Sequence, residues 1–296
     1  MAGGAGKQKP WGFLGRCCST SAAVVQEKIE RTSSVEISPY PSHSSSERPK
    51  GKQDSERSQT AMWNALRLGS IIPDLTLNTT QGTFQLHQWL TSDQMRPWTM
   101  IFSHPKDFTS VCTTEVAQFH RHAHDFSAIG VKLLGLSCDP LYDHHAWMKD
   151  VLHQASCTGD MSLNFPIVAD EDNAAIKALG LVEEGEHAPR GSLMAARALI
   201  ILYNTRVKLV QPYPLCTGRN VAELYRMCLS MKMERDTGLA TPCNWQPGDD
   251  VCLGPRCRIE EAKEKFQDFK VAKMPSNIDY MHTVKCPSSA TRKISL

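Results

Sequence analysis

The sequence predicts an α/β fold: a three-layer sandwich with a smaller C-terminal module and a disordered N-terminal tail. Three observations carry this. Apolar, strand-like runs at 98–102 and 131–137 alternate with helical patterns, as expected for strands packed between helix layers. A hairpin pattern and another helix follow between 198 and 233. Before residue 62 the chain is poor in apolar side chains, and Ser, Lys, Arg, Gln, Pro and Gly prevail from Glu27 to Gln59. Such a segment cannot bury a core.

Ordered sequence is expected from residue 66. Residues 71–77 read as a short strand and 83–89 as a second element. Residues 98–102 form a core strand. A helix is expected over 109–129, with Val116, Phe119 and Phe126 at helical spacing. Residues 131–137 read as a buried strand, since Leu133-Leu134-Gly135-Leu136 is continuous and apolar. A helix follows over 140–155, with Asp139 as its cap before Pro140. A brief strand at 165–168 leads to a short helix at 173–179, closed by Gly180. Strands at 198–203 and 207–211 flank Asn204-Thr205-Arg206, a hairpin turn. The helix at 220–233 places Val221, Leu224, Met227 and Cys228 on one face. From 236 onward Pro242, Pro247, Gly248, Gly254 and Pro255 interrupt the pattern, and a charged helix is expected over 260–270. The chain therefore divides into a tail (1–62), a main domain (63–235) and a C-terminal arm (236–296).

The 296 residues carry a net charge of +2, which excludes a strongly basic nucleic-acid binder. No apolar run has the roughly 20 residues of a membrane span. Eleven cysteines in a long chain without an export signal indicate reduced thiols in a reducing compartment, which favours a cytoplasmic location. The first 26 residues hold Lys7, Lys9 and Arg16 and no acid. They are either a plain flexible tail or an organellar, mitochondrial targeting segment.

The chemistry centres on Cys112. It lies in the first turn of a helix that follows a buried strand. Helix starts expose unpaired N–H groups and a partial positive charge, which stabilise the thiolate, the reactive form of cysteine. Thr109, three residues earlier, can direct its hydroxyl at the sulfur. Pro105 stiffens the approach loop. A cation is still needed, and Lys106, Arg121, Arg190, Arg197, Arg206 and Arg219 are candidates. Arg197 stands out because it opens the apolar strand Ala198-Leu199-Ile200-Ile201-Leu202.

The spacing Pro105-x3-Thr109-x2-Cys112 resembles the active-site signature of the peroxiredoxins. The longer run from Phe102 to Glu115 resembles their one-cysteine, peroxiredoxin-6 type. Asp143 to Asp150, Thr217-Gly218-Arg219-Asn220 and Ala240-Thr241-Pro242 with Asn244-Trp245 resemble further stretches of that group. The resemblance implies a thioredoxin-like peroxidase that reduces hydrogen peroxide and organic hydroperoxides through a cysteine sulfenic acid. Cys112 would be the nucleophile. Thr109 would bond its sulfur and a peroxide oxygen, Arg197 would hold the thiolate, and Pro105 would line the pocket. His104, Glu115 and Arg219 would support them. No cofactor or metal is implied. The implied reductant is glutathione or another external thiol, with a glutathione transferase as partner, and the implied assembly is a homodimer.

That type is also associated with phospholipase activity. His87 matches its histidine, but Pro97 and Thr205 stand at the serine and aspartate positions, so no lipid hydrolysis is expected. Cys286, in Val284-Lys285-Cys286-Pro287, is a weak match to the resolving cysteine of two-cysteine members. Cys138 and Cys228 are expected to be apolar fillers, and Cys157 and Cys216 idle loop thiols. Cys243, Cys252 and Cys257 fit no structural zinc spacing. A peroxide-sensing or chaperone-like protein using the same cysteine is the alternative.

Overall fold

The structure is a computed structural model and describes residues 66–157, 162–182, 193–266 and 268–294. The expected tail, its targeting segment and Arg190 lie outside the described residues.

Among these, seven strands form one sheet: β1 (Thr76–Thr79), β2 (Gly82–Gln85), β3 (Trp98–Ser103), β4 (Val131–Ser137), β5 (Ile167–Ala169), β6 (Arg197–Tyr203) and β7 (Arg206–Tyr213). Their order is β2-β1-β5-β4-β3-β6-β7. Strands β3, β4 and β5 run parallel, whereas β6 pairs antiparallel with β3. The helices of this part are α1 (Leu86–Thr91), α2 (Ser110–Ala128), α3 (Leu141–Gln154), α4 (Ala174–Leu179) and α5 (Val221–Thr237).

Side-chain alternation along the central strands divides the core in two. Met100 and Phe102 of β3 and Leu199 and Ile201 of β6 pack with α2, α3 and α5. Ile101, Ile200 and Leu202 face the other way, onto Leu86 and Leu90 of α1 and Ile176 and Leu179 of α4. This is the expected three-layer, thioredoxin-like sandwich. The alternation also fixes the site, because Arg197 shares the parity of Leu199 and Ile201 and so faces α2.

Several local expectations shift. The strand expected at 71–77 forms at Thr76–Thr79, and Ile71 makes only an isolated bridge to Arg206. The element at 83–89 splits at Gln85 into a strand and a helix. Lys132, on β4, explains where α1 stops: its Nζ donates to the Trp89 and Leu90 carbonyls at 2.6 and 2.9 Å, capping the helix end. Burial pushes this lysine down to about 8. Asp139 does not cap α3. Pro140 takes the cap position, and the Asp139 carboxylate turns back toward the Cys112 loop. Asn220 does cap α5, accepting from the Glu223 N–H at 3.1 Å, and that helix runs on to Thr237, where Gly238 ends it at φ 77°.

Past α5 the chain adds strands β8 (Leu239–Ala240), β9 (Val251–Leu253), β10 (Lys270–Val271) and β11 (His282–Val284), and helix α6 (Ile259–Lys265). The four strands form a second sheet, ordered β10-β11-β9-β8. Leu239, Trp245, Val251, Val284 and Ala290 join the core that contains α2 and α5. Gly254 is required here, since a Cβ would lie 2.3 Å from the Gly238 carbonyl oxygen.

Candidate active site

Strand β3 delivers the chain to the loop 104–109, and α2 begins at Ser110. Cys112 is in the first turn and is 1% exposed. Helical spacing over two turns places Cys112, Glu115, Val116 and Phe119 on the same buried face. Opposite stands Arg197, 2% exposed, with Nη1 and Nη2 both 3.7 Å from the Cys112 sulfur. A cation and a thiol separated by 85 residues of chain thus meet in the core.

Glu115 keeps the guanidinium in place. Arg197 Nη1 donates to Glu115 Oε2. Arg219 donates from Nη2 to the same oxygen at 2.7 Å, and from Nε and its backbone N–H to Oε1 at 2.9 and 2.7 Å. Burial pushes the Glu115 carboxyl up, but the hydrogen bonds and charge of Arg219, with the charge of Arg197, outweigh it and hold the group below its ordinary value. Arg197 also donates from Nη2 and Nε to the Leu215 carbonyl at 2.9 and 3.3 Å. Arg219 donates from Nη1 to the Ala198 carbonyl at 2.8 Å and lies over the rings of Phe119 and Phe102. The two arginines are therefore braced from separate elements.

The expected contact of Thr109 takes a different form. Its hydroxyl donates to the Lys106 carbonyl at 2.8 Å, so its one proton is committed away from the sulfur. Oγ1 keeps its lone pairs and can accept. Pro105 is half-buried in the same loop. Phe108, exposed and at φ 54°, holds a left-handed conformation costly for a bulky residue.

His104 does not point its bonded nitrogen at Cys112. Its Nε2 donates to Asp107 Oδ1 at 2.7 Å, while His144 Nδ1 reaches Asp107 Oδ2 at 2.6 Å. His144 Nε2 lies 3.2 Å from the Val168 carbonyl. Asp139 accepts from the Asp107 N–H and the Ser137 hydroxyl, both at 2.9 Å. Burial pushes the Asp107 carboxyl up, and the hydrogen bonds from His104 and His144 overcome it, leaving it below its ordinary value. His104, Asp107 and Asp139 have ligand-type atoms within 4.8 Å of one another, but Asp107 spends both oxygens and Asp139 its Oδ2 on the bonds just named, and Asp139 Oδ1 accepts from Lys106 at 3.4 Å. The cluster ties the loop 104–109 to β4, β5 and α3. Sequence reasoning missed Asp107 and Asp139, and named His144 only within the run Asp143–Asp150, although Asp107 sits inside the Pro105–Cys112 signature.

The other described cations considered are engaged elsewhere. Arg121 donates to the Ala155 and Gln154 carbonyls, Arg206 to the Gly69 carbonyl, and Lys106 to Asp139. Burial disfavours the thiolate at two other cysteines. Burial pushes Cys138 up to about 12 and raises Cys228 further. His87 Nε2 donates to the Ile72 carbonyl at 2.7 Å, and the Ile72 N–H donates to the Thr205 carbonyl at 2.9 Å. His87 and Thr205 are thus linked through Ile72, and no serine or aspartate stands at positions 97 and 205.

A buried cysteine at a helix start, faced by a braced guanidinium on a thioredoxin-like sandwich, defines a thiol-dependent peroxidase. The AhpC/TSA family profile matches residues 68–209, and the profile of the C-terminal domain of 1-Cys peroxiredoxin matches 230–268. A 1-Cys peroxiredoxin of Medicago truncatula is 39% identical, over 73% of this chain and 96% of its own. Among solved structures, a mutant of peroxiredoxin 6 of Arenicola marina is 36% identical with a TM-score of 0.69, covering 75% of this chain and 99% of that one. A yeast mitochondrial 1-Cys peroxiredoxin, whose thiol resolves via glutathione/thioredoxin systems, is 32% identical with a TM-score of 0.64, covering 74% and 99%. The chain belongs to the 1-Cys peroxiredoxins. Their peroxidase chemistry is its function, and the sensing or chaperone alternative is not favoured.

Proposed function

We propose that Cys112 is the peroxidatic nucleophile, acting on hydrogen peroxide and organic hydroperoxides. The observation that carries this reading is the Arg197 guanidinium, with two nitrogens 3.7 Å from a sulfur that is 1% exposed. A full positive charge at that range, in a site largely closed to water, stabilises negative charge on sulfur. The thiolate attacks one peroxide oxygen and the O–O bond breaks. The departing oxygen takes a proton and leaves as water or alcohol, and Cys112 becomes a sulfenic acid. Arg197 lies where charge is shared between sulfur and the separating oxygens. Thr109 accepts a hydrogen bond from the peroxide O–H, since its own proton is held by Lys106. Pro105 shields the approach. Glu115 and Arg219 fix Arg197, and His104 fixes the loop through Asp107.

Glutathione or another external thiol returns the cysteine to its starting state, with a glutathione transferase as partner. The glutathione/thioredoxin chemistry of the yeast relative supports this. The enzyme works as a homodimer in a reducing, cytoplasmic setting, consistent with nine unbridged cysteines among the described residues. The alternative location is mitochondrial. The test is substitution: Cys112→Ser abolishes peroxide consumption, and retained consumption would refute the assignment.

A further inference from the structure

We infer that Lys132 is a second reactive group of this protein, an amine that condenses with small uncharged aldehydes in a cavity at the opposite end of the sheet from Cys112. Strand β4 runs parallel to β3 and sets Lys132 beside Thr99. The chain leaves β3 at Ser103 for the Cys112 loop. Lys132 therefore stands near the start of these strands and the peroxidatic sulfur beyond their end. Beside Lys132 is a cavity of about 530 Å³, within the size range of small-molecule sites. Its walls come from separate elements: Trp89 of α1, Ser127 of α2, Leu133 of β4 and Phe165 just before β5.

The amine is held still and kept dry. Lys132 is buried, and its Nζ lies 4.4 Å from the centre of the Trp89 ring. It donates to the Trp89 and Leu90 carbonyls at 2.6 and 2.9 Å. Two carbonyls require two hydrogens. A neutral amine supplies both and keeps a lone pair, whereas an ammonium carries a third N–H that needs its own acceptor. The titratable groups that line the cavity with Lys132 are Asp93 and Arg96, beyond α1, and His124 of α2. Asp93 and Arg96 pair with each other at 2.6 Å. Burial, helped by the charge of Arg96, outweighs the pull of Asp93 and leaves Lys132 at about 8. At pH 7 about a tenth of such an amine is neutral, against about one in two thousand of an ordinary lysine near 10.4. The Asp93–Arg96 pair compensates itself, and Trp89, Leu133 and Phe165 supply an apolar wall, which fits an uncharged ligand.

The step balances. The Lys132 nitrogen attacks the aldehyde carbon, and a C–N bond forms. The carbonyl oxygen collects the two nitrogen protons, the C–O bond breaks, and water leaves an imine behind. A proton from solvent restores one N–H for an α1 carbonyl. No electrons are transferred, so no oxidant or reductant is needed, and water reverses the reaction.

The experiment incubates the full chain with butanal between about pH 6 and pH 10. Brief borohydride reduction traps the imine, and peptide mass spectrometry locates the butyl group. At pH 7 Lys132 is expected to be labelled about tenfold or more faster than Lys106 and Lys285, whose side chains are 67% and 69% exposed. Its rate should level off above about pH 8. Ser127→Trp fills the cavity from α2 without altering Lys132 or its two carbonyls. It should cut Lys132 labelling about tenfold while peroxide consumption stays at the parent level. Labelling of Lys132 no faster than that of the exposed lysines overturns the inference. So does a rate still climbing about tenfold per pH unit past pH 9, or parent-like labelling in a folded Ser127→Trp protein. If that variant fails to fold, the parent profile decides alone. None of these results touches the role of Cys112.

Discussion

Replacing Arg197 by methionine removes the cation while keeping most of the buried aliphatic volume. Two donors 3.7 Å from the sulfur are lost. At an effective dielectric of about 20, a unit charge at that distance is worth roughly 4 kcal/mol. Loss of a donor aimed at developing charge costs about 10²–10³ in rate. Both figures place the second-order rate constant for Cys112 oxidation about three orders of magnitude below the parent, at about 1.4 kcal/mol per tenfold. The fold tolerates the change, because Glu115 keeps three hydrogen bonds from Arg219. The measurement is the rate of peroxide loss in single turnover, beside a circular dichroism melt to verify folding. A folded Arg197→Met protein reacting within about threefold of the parent, under about 0.7 kcal/mol of barrier, would refute the idea that this charge drives the chemistry.

Glu115→Ala strips the carboxylate from two buried guanidiniums and should cost about 3–5 kcal/mol in denaturant-melt stability, against a much smaller loss for Arg197→Met. The depressed Glu115 carboxyl gives the parent stability that is fully present above the unfolded carboxylate range, near 4.3, and is lost as pH falls through the lower folded value. An acid titration of Glu115→Gln should therefore lack part of that low-pH loss. Asn220→Ala removes the cap bond to Glu223 and should lower stability by about 1 kcal/mol without changing peroxide rates. Gly254→Ala drives a Cβ into the Gly238 carbonyl and should lower the melting temperature through the C-terminal sheet. A parent-like melt would show that the two segments can separate freely.

The long elements were legible because their patterns are long. Trp98, Met100, Ile101 and Phe102 mark β3, Leu133-Leu134-Gly135-Leu136 marks β4, and Val116, Phe119 and Phe126 mark α2. The C-terminal strands escaped because two or three residues, such as Leu239–Ala240 or Lys270–Val271, carry no period. In the site, Cys112, Arg197, Glu115 and Arg219 were all nameable in advance, and the structure brings the four together. What spacing could not supply was which donor meets which acceptor. Thr109 lies three residues from both Cys112 and Lys106, and geometry sends its proton to Lys106. Asp107 depends on His144 and Asp139, 37 and 32 residues away. Asp139 looked like a helix cap because capping is local, but a buried backbone N–H at Asp107 claims it first.

The pairing of β6 beside β3 has a bearing on biogenesis. The sulfur is synthesised 85 residues before its cation, and only a completed central sheet joins them. A half-made or locally melted chain therefore displays an ordinary, sluggish thiol. Reactivity toward oxidants therefore waits on β6 docking beside β3.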